Sequence, residues 1–236
     1  MAKIKDPRAF IFDMDGVIVD SMAYHFLAWY EALRPYGVRV SCFDIYSREG
    51  ERWDKSLKEL FGRSGIKAGK QLLKEVSRRR ARIFNKYFRR FIFPGARDFL
   101  VCLKAKGYLL GLATGTPTAQ IRKILPADIR SLFDCVIAGD MVSRGKPDPQ
   151  PYLRAAAGLG VLPGSCVVVE NAPLGIESAH KAGMFCVALT TSLPREYLRR
   201  ADAVVDRLEE ITGMTGPGCR TGTFKIGLKK RGFGVK

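Results

Sequence analysis

The stretch AFIFDMDGVIVDS, residues 9–21, runs four apolar residues without a break into Asp13, then places a second acid at Asp15 and a glycine at Gly16. A short uninterrupted apolar run closed by turn formers reads as a strand covered on both faces, the environment of a parallel sheet. Five more runs follow: YLLGLAT (108–114), CVIAG (135–139), CVVVE (166–170), FCVALT (185–190) and AVV (203–205). Each gives way to Gly, Pro, Asp or Asn and then to residues at helical spacing. This alternation predicts βα units and an α/β fold, a doubly wound parallel sheet of the Rossmann-like type.

Outward from residues 9–21 the spacing changes once. Between the first run and the second lie residues 16–107, far more chain than a crossover helix needs, and an inserted domain accounts for it. The expected organisation is a catalytic core of residues 1–19 and 93–212 with a helical cap of residues 20–92. Within the cap, MAYHFLAWYEALRPYG, RWDKSLKELFGRSG and GKQLLKEVSRRRARIFNKYFRRF repeat apolar residues at helical spacing. In the last of these the apolar positions are Leu72, Leu73 and Val76, then Ile83, Phe84, Tyr87 and Phe88. They predict amphipathic helices with basic outer faces, a small bundle over the sheet. FPGARDFLVCLKAKG (93–107) returns to the core through a Pro-Gly turn and a further amphipathic helix. Residues 213–236, rich in Gly and without an acid, read as a flexible basic tail.

The chain has 236 residues and a formal net charge of +17, from 40 Lys plus Arg and 23 Asp plus Glu. Residues 47–92 hold 15 basic against 5 acidic side chains, residues 213–236 hold 6 against none, and the remainder holds 19 against 18. The excess therefore belongs to the cap and the tail, where it draws anionic ligands, and leaves the core nearly neutral. An apolar fraction of 47% excludes disorder throughout. No apolar run reaches the roughly 18 residues of a membrane span, and no signal peptide opens the chain. Six scattered cysteines without a CxxC pair read as reduced thiols. A protein of a reducing cytoplasm is expected, with no membrane partner, and a monomer is compatible with the sequence. Arginines at 78, 79, 80 and 82, interleaved with aromatics, offer a second reading as a nucleic-acid contact. Such a run is ordinarily a solvated helix face, so no specific nucleic acid is expected.

Ligands of an open parallel sheet gather at the carboxyl ends of its strands. At those ends stand Asp13 and Asp15, then Thr114 with Gly115 and Thr116, then Lys146, then Glu170 with Asn171. The acids and the Asn171 carbonyl supply hard oxygens for a Mg²⁺ ion that keeps several waters. Thr114, Gly115 and Thr116 offer hydroxyl and backbone donors to an anion, and Lys146 adds a point charge that neutralises a phosphate or keeps a carboxylate ionised. Singly, each of these residues is as well a turn former, a helix cap or a surface charge. Together, in this order, they require a phosphoryl group.

Four stretches, DMDGVIVDS (13–21), LATGT (112–116), GKPDPQPY (145–152) and VVVENAPLGIESAHKAG (167–183), resemble in order and content the haloacid dehalogenase-like superfamily. The match is to members with a helical cap between the first two core strands, similar to β-phosphoglucomutase and phosphoglycolate phosphatase. It spans about residues 1–210. The resemblance implies that Asp13 is the nucleophile that forms an aspartyl-phosphate and that Asp15 is the general acid and base. It further implies that Thr114 binds the phosphoryl group, that Lys146 bridges it to Asp13, and that Mg²⁺ is held by Asp13, the Asp15 carbonyl and residues 170 and 171. Asn171 stands where many relatives carry an acid, and weaker Mg²⁺ binding is the expected consequence.

His25 matches a histidine that supports the acid-base aspartate in mutase-like relatives. Arg48 and Arg52, in the cap loop YSREGERWDKSL (46–57), are candidates for gripping a second anionic group on the substrate. Trp53 stands where those relatives have an arginine, which argues against a mutase. The expected activity is a Mg²⁺-dependent phosphatase acting on a small phosphorylated metabolite, a sugar phosphate or phosphoglycolate in type. A phosphomutase is the alternative, and a dehalogenase, which needs neither metal nor Asp15, is further away.

Overall fold

Side chains alternate across each central strand and feed two different cores, which is why the apolar runs are continuous. Phe10 and Phe12 pack with Leu110, Leu112, Val167 and Val169 on one face of the sheet. Ala9 and Ile11 pack with Ala113, Tyr152, Cys166 and Val168 on the other. The computed structural model describes residues 4–212 and 223–224; the stretch read as a basic tail lies, those two residues apart, outside the described residues, as does Cys219.

In chain order the strands are β1 (Ile4–Lys5), β2 (Ala9–Phe12), β3 (Leu109–Ala113), β4 (Cys135–Ile137), β5 (Cys166–Glu170), β6 (Phe185–Leu189), β7 (Ala203–Val205) and β8 (Thr223–Phe224). Strands β2 to β7 form one sheet in the order β4-β3-β2-β5-β6-β7. All its pairings are parallel, and β1 pairs antiparallel with β8 alone. The six strands expected from the apolar runs are the six of this sheet. The register is what assembles the site: Phe12 pairs with Leu112 on one side and with Val169 on the other. The residues just beyond, Asp13, Ala113–Thr114 and Glu170, therefore emerge side by side.

Between β2 and β3 come α1 (Met22–Leu33), α2 (Cys42–Tyr46), α3 (Trp53–Arg63), α4 (Lys70–Tyr87) and α5 (Ala96–Ala105), the last of them packed on the sheet. The first four share a core of their own built on Trp29, Leu33, Ile45, Leu57, Phe61, Leu73 and Val76. Helix α2 was not among the expected helices; its signal is Ser41-x-x-Asp44, whose side chains each accept the other's backbone N–H. On α4 the expected apolar face is narrower than the sequence pattern. Leu73, Val76 and Phe84 are buried, whereas Tyr87 lies on the outside with the Lys86 ammonium 5.0 Å over its ring. The chain enters and leaves this bundle through two adjacent segments, bridged at Val19 and Ile92 and by Asp20 N–H to the Phe91 carbonyl at 2.9 Å. The five described cysteines are unpaired, with Cys166 and Cys186 buried and Cys135 partly so. No helix among the described residues is long and apolar enough to cross a membrane.

Candidate active site

Asp13 follows β2 directly, its N–H donating to the Val169 carbonyl at 3.0 Å. Its Oδ1 accepts from Lys146 Nζ at 2.6 Å, and the same ammonium donates to Glu170 Oε1 at 2.6 Å. All three side chains are buried. Burial pushes Asp13 up to about 7, against the opposing pull of Lys146 and with Glu170 and Asp15 adding to the rise. Lys146 is itself pushed up by the two carboxylates, which outweigh its own burial.

Glu170 is fully engaged. Oε1 accepts also from the Tyr152 hydroxyl at 2.6 Å, and Oε2 accepts the N–H groups of Asn171 at 2.8 Å and Ala172 at 3.2 Å. Space for it comes from Gly175, where a Cβ would stand 1.8 Å from Oε1. Of the pair expected to hold a metal, Glu170 thus positions Lys146 and has no idle oxygen, while Asn171 has one. The Asn171 amide donates through Nδ2 to Ser192 Oγ at 2.8 Å, and its Oδ1 is buried without a partner. Among the described residues Asp13 Oδ2 is the other buried side-chain oxygen without a partner. Two orphaned acceptors at neighbouring strand ends fit a hard cation, since no hydrogen-bond donor answers them. Among the described residues no group of three or more His, Cys, Asp or Glu side chains could hold a metal ion by itself, so a cation here would draw its further ligands from backbone and water.

Asp15 is held in the opposite state from Asp13. Ser21 Oγ donates to Oδ1 at 2.6 Å, Thr116 Oγ1 donates to Oδ2 at 2.8 Å, and His25 Nε2 lies 3.0 Å from Oδ1. Burial would raise this carboxyl, but His25 and the two hydroxyls overcome it and bring it down to about 2. Arg80 Nη2 stands 2.8 Å from the other ring nitrogen of His25. A guanidinium only donates, so Nδ1 accepts and the ring proton sits on Nε2, directed at Asp15. His25 therefore stands beside Asp15, with its proton on that side. The Thr116 hydroxyl also donates to Asp15. Thr114 Oγ1 accepts the Thr116 N–H at 3.0 Å, which leaves its own proton to donate.

A cavity of about 310 Å³ opens between cap and core, with His25, Trp29, Glu49, Arg80, Thr114 and Lys146 in its wall. Asp13 and Asp15 lie beneath it, both without exposed surface. The cap loop lies directly on the core here. Gly50, at φ +78°, passes so close that a Cβ would stand 2.3 Å from Lys146 Cδ, and a Cβ on Gly115 would stand 3.0 Å from Gly50 Cα. With the loop in this position Asp13 has no exposed surface.

Arg48 and Arg52 also line the cavity but are committed elsewhere. Arg48 pairs with Glu51 at 3.1 Å and with Glu59, and Arg52 pairs with Asp54 at 3.3 Å and reaches the Val142 carbonyl at 3.4 Å. Both guanidinium groups are thus engaged by acids of the cap or, for Arg52, also by a core carbonyl, rather than standing free toward the cavity.

A model of the haloacid dehalogenase-like hydrolases matches residues 7–183. The chain belongs to the haloacid dehalogenase-like hydrolase family. Among relatives, this hydrolase is 34% identical to the "Phosphorylated carbohydrates phosphatase" of Thermotoga maritima over 75% of its own chain and 82% of that protein. It is 31% identical to the β-phosphoglucomutase of Bacillus subtilis over 87% and 92% of the two chains. A solved hydrolase from Pseudomonas syringae superimposes with a TM-score of 0.79 at 26% identity, covering 88% of this chain and 97% of that one.

Five site residues of this haloacid dehalogenase-like hydrolase were not anticipated as such: Ser21, Glu49, Arg80, Tyr152 and Ser192. Ser21 and Tyr152 lie inside the quoted motifs. Arg80 was hidden in the basic run, although it shares a face with Leu73, Val76 and Phe84 at helical spacing. Ser192 had no signal.

Proposed function

We propose that the protein is a Mg²⁺-dependent phosphatase that hydrolyses a small phosphorylated metabolite, a sugar phosphate or phosphoglycolate in type, through an aspartyl-phosphate on Asp13. The observation that carries this reading is the division of labour between two carboxylates two residues apart. Asp13 is anchored through Oδ1 by Lys146 and its Oδ2 carries no hydrogen bond, so the carboxylate keeps lone pairs both for a metal ion and for attack in line on phosphorus. Asp15 is a carboxylate aligned by three groups, as a base that takes a proton from water must be. For the first step Asp15 carries the proton it gives to the leaving oxygen, and one of those three donors gives way. Lys146 and the Thr114 hydroxyl hold the transferring group. Asp13 Oδ2 and Asn171 Oδ1 would hold Mg²⁺, which supplies charge neutralisation for the phosphoryl oxygens when bound. The curated relatives include phosphatases and a phosphomutase, and Trp53 in the cavity wall supports hydrolysis over transfer to a second hydroxyl.

The test is a screen of phosphorylated metabolites with Mg²⁺, scoring free phosphate against isomer interconversion. Phosphate release is expected; isomerisation without release would overturn the phosphatase in favour of the mutase.

Two further outcomes follow from the geometry. Because burial pushes Asp13 up to about 7, the nucleophile is protonated below that pH, and kcat/KM falls as pH drops from 8 to 6. A cation beside Oδ2 favours the carboxylate and moves this limb to lower pH. A profile flat between pH 5 and 8 at limiting Mg²⁺ would contradict the assignment. The second outcome concerns Gly50→Ala, which places a methyl in the space of the Lys146 side chain at a positive φ. It keeps the cap loop from seating and lowers kcat/KM by about 10²-fold, while the thermal midpoint moves by only a few degrees because the loop can lift away from the core. Steady-state kinetics and a melt measure both.

A further inference from the structure

The cavity wall contributed by the cap contains both signs of charge, but most of it is already spent. Arg48 is taken by Glu51 and Glu59, Arg52 by Asp54 and the Val142 and Ser143 carbonyls, and Glu51 by Arg48, Lys55 and Ser56. Two groups remain. The Glu49 carboxyl lies in the cavity wall with no hydrogen-bond partner among the described residues; burial, with Asp15 and Asp13 nearby, pushes it well above the usual carboxylate range against the pull of Lys146 and Arg80. Arg80 spends one Nη on His25 and is held between the Trp29 ring, 5.1 Å from its centroid, and the Phe84 ring at 5.7 Å. Its Nε–H is buried with nothing to donate to.

We infer that Glu49 and Arg80 are the pair with which the cap recognises a hydroxylated carbon skeleton, the polyol or sugar tail of the phosphorylated substrate. The Arg80 N–H buried without an acceptor is costly, and Glu49 faces the cavity without a donor, so a ligand that supplies both missing partners gains from each. A hydroxyl is donor and acceptor at once, so two neighbouring hydroxyls satisfy both groups, one accepting from Arg80 and one donating to Glu49. A tail bearing a second carboxylate answers Arg80 but supplies no donor for Glu49, whereas neighbouring hydroxyls answer both, and Arg48 and Arg52 are already paired. The cavity, at about 310 Å³, is at the small end of ligand pockets and suits a compact tail.

The inference rests on the phosphatase reading, and the test separates the two. Wild-type kcat/KM is measured with Mg²⁺ on glucose 6-phosphate and glycerol 1-phosphate, on phosphoglycolate, and on p-nitrophenyl phosphate, which has no hydroxylated tail. The hydroxylated substrates are expected to exceed phosphoglycolate by tenfold or more. The opposite order overturns the inference while leaving the phosphatase intact, whereas no hydrolysis of any of them removes both. In Glu49→Ala the ratio of kcat/KM on the best sugar phosphate to that on p-nitrophenyl phosphate falls at least tenfold, mostly through KM, and Glu49→Gln, which keeps an acceptor, recovers part of it. An unchanged ratio, with both substrates losing the same factor, would assign Glu49 to the chemistry or to the fold and sink its role in recognition.

Discussion

Asp13→Asn is expected to lower kcat for phosphate release by about 10⁴-fold or more, the scale on which removing a covalent nucleophile acts. The amide oxygen that replaces the carboxylate is a poor nucleophile toward phosphorus, and no neighbour substitutes for it. Asp15 is the nearest acid in sequence, but both of its oxygens are engaged by Ser21, His25 and Thr116 and neither is idle. Glu170 is likewise occupied by Lys146, Tyr152 and two backbone N–H groups. The variant keeps its fold, because Lys146 retains Glu170 as a partner and residue 13 retains its backbone bond to Val169. Acid-quenched protein from a reaction with labelled substrate carries label on residue 13 in the wild type and none in the variant. A variant that retains more than a tenth of the wild-type rate would show that phosphoryl transfer does not pass through this residue.

Much of this arrangement is legible before any coordinates are seen, because it is tied to strand ends. Asp13, Thr114, Lys146 and Glu170 follow apolar runs, and a parallel register brings the ends of such runs to one edge whatever the loops do. The roles within that set were less accessible. Whether Glu170 or Asn171 offers an oxygen depends on who else bonds to them, and the partners Tyr152, Ser192 and the N–H groups of residues 171 and 172 are brought in by tertiary packing. Thr116 illustrates the same limit. Its sequence position beside Thr114 suggests an anion ligand, but its hydroxyl turns to Asp15 across 101 residues of chain.

The cap is less legible for a related reason. Charge there is so dense that composition alone does not separate arginines that neutralise neighbouring acids from one that enters the cavity. Arg48 and Arg52, nearest the loop, turned out to be the neutralised ones. Arg80 could have been found by phase rather than by proximity: spacings of three, four and four residues from Leu73 through Val76 and Arg80 to Phe84 put a charge on the buried stripe of α4. A cation on an apolar stripe requires a partner, and here that partner is His25, part of the site itself.

Lys146→Met is expected to be the most destabilising single change in the site. One ammonium lies 2.6 Å from two carboxylates, and all three groups are buried. Removing it leaves two like charges facing each other without water, which costs about 3–5 kcal/mol and lowers the thermal midpoint by roughly 6–20 °C for a chain of this size. The loss depends on pH in a definite direction. Without Lys146 the pull that opposes burial at Asp13 is lost and its carboxyl lies further above its unfolded value, so the folded state binds more protons than the unfolded one at neutral pH and stability falls as pH rises. The deficit is therefore larger at pH 8 than at pH 5. Adding Glu170→Gln to Lys146→Met removes one of the two charges, and since Asp13 already rises to about 7 it neutralises itself at modest cost. The double variant melts above the single one while remaining without phosphatase activity. Melts of both proteins at pH 5 and pH 8 test the argument. A Lys146→Met protein as stable as wild type at pH 8 would mean that the two carboxylates reach water or share a proton even without their lysine, and the closed seat of Gly50 over Lys146 would then not seal the site.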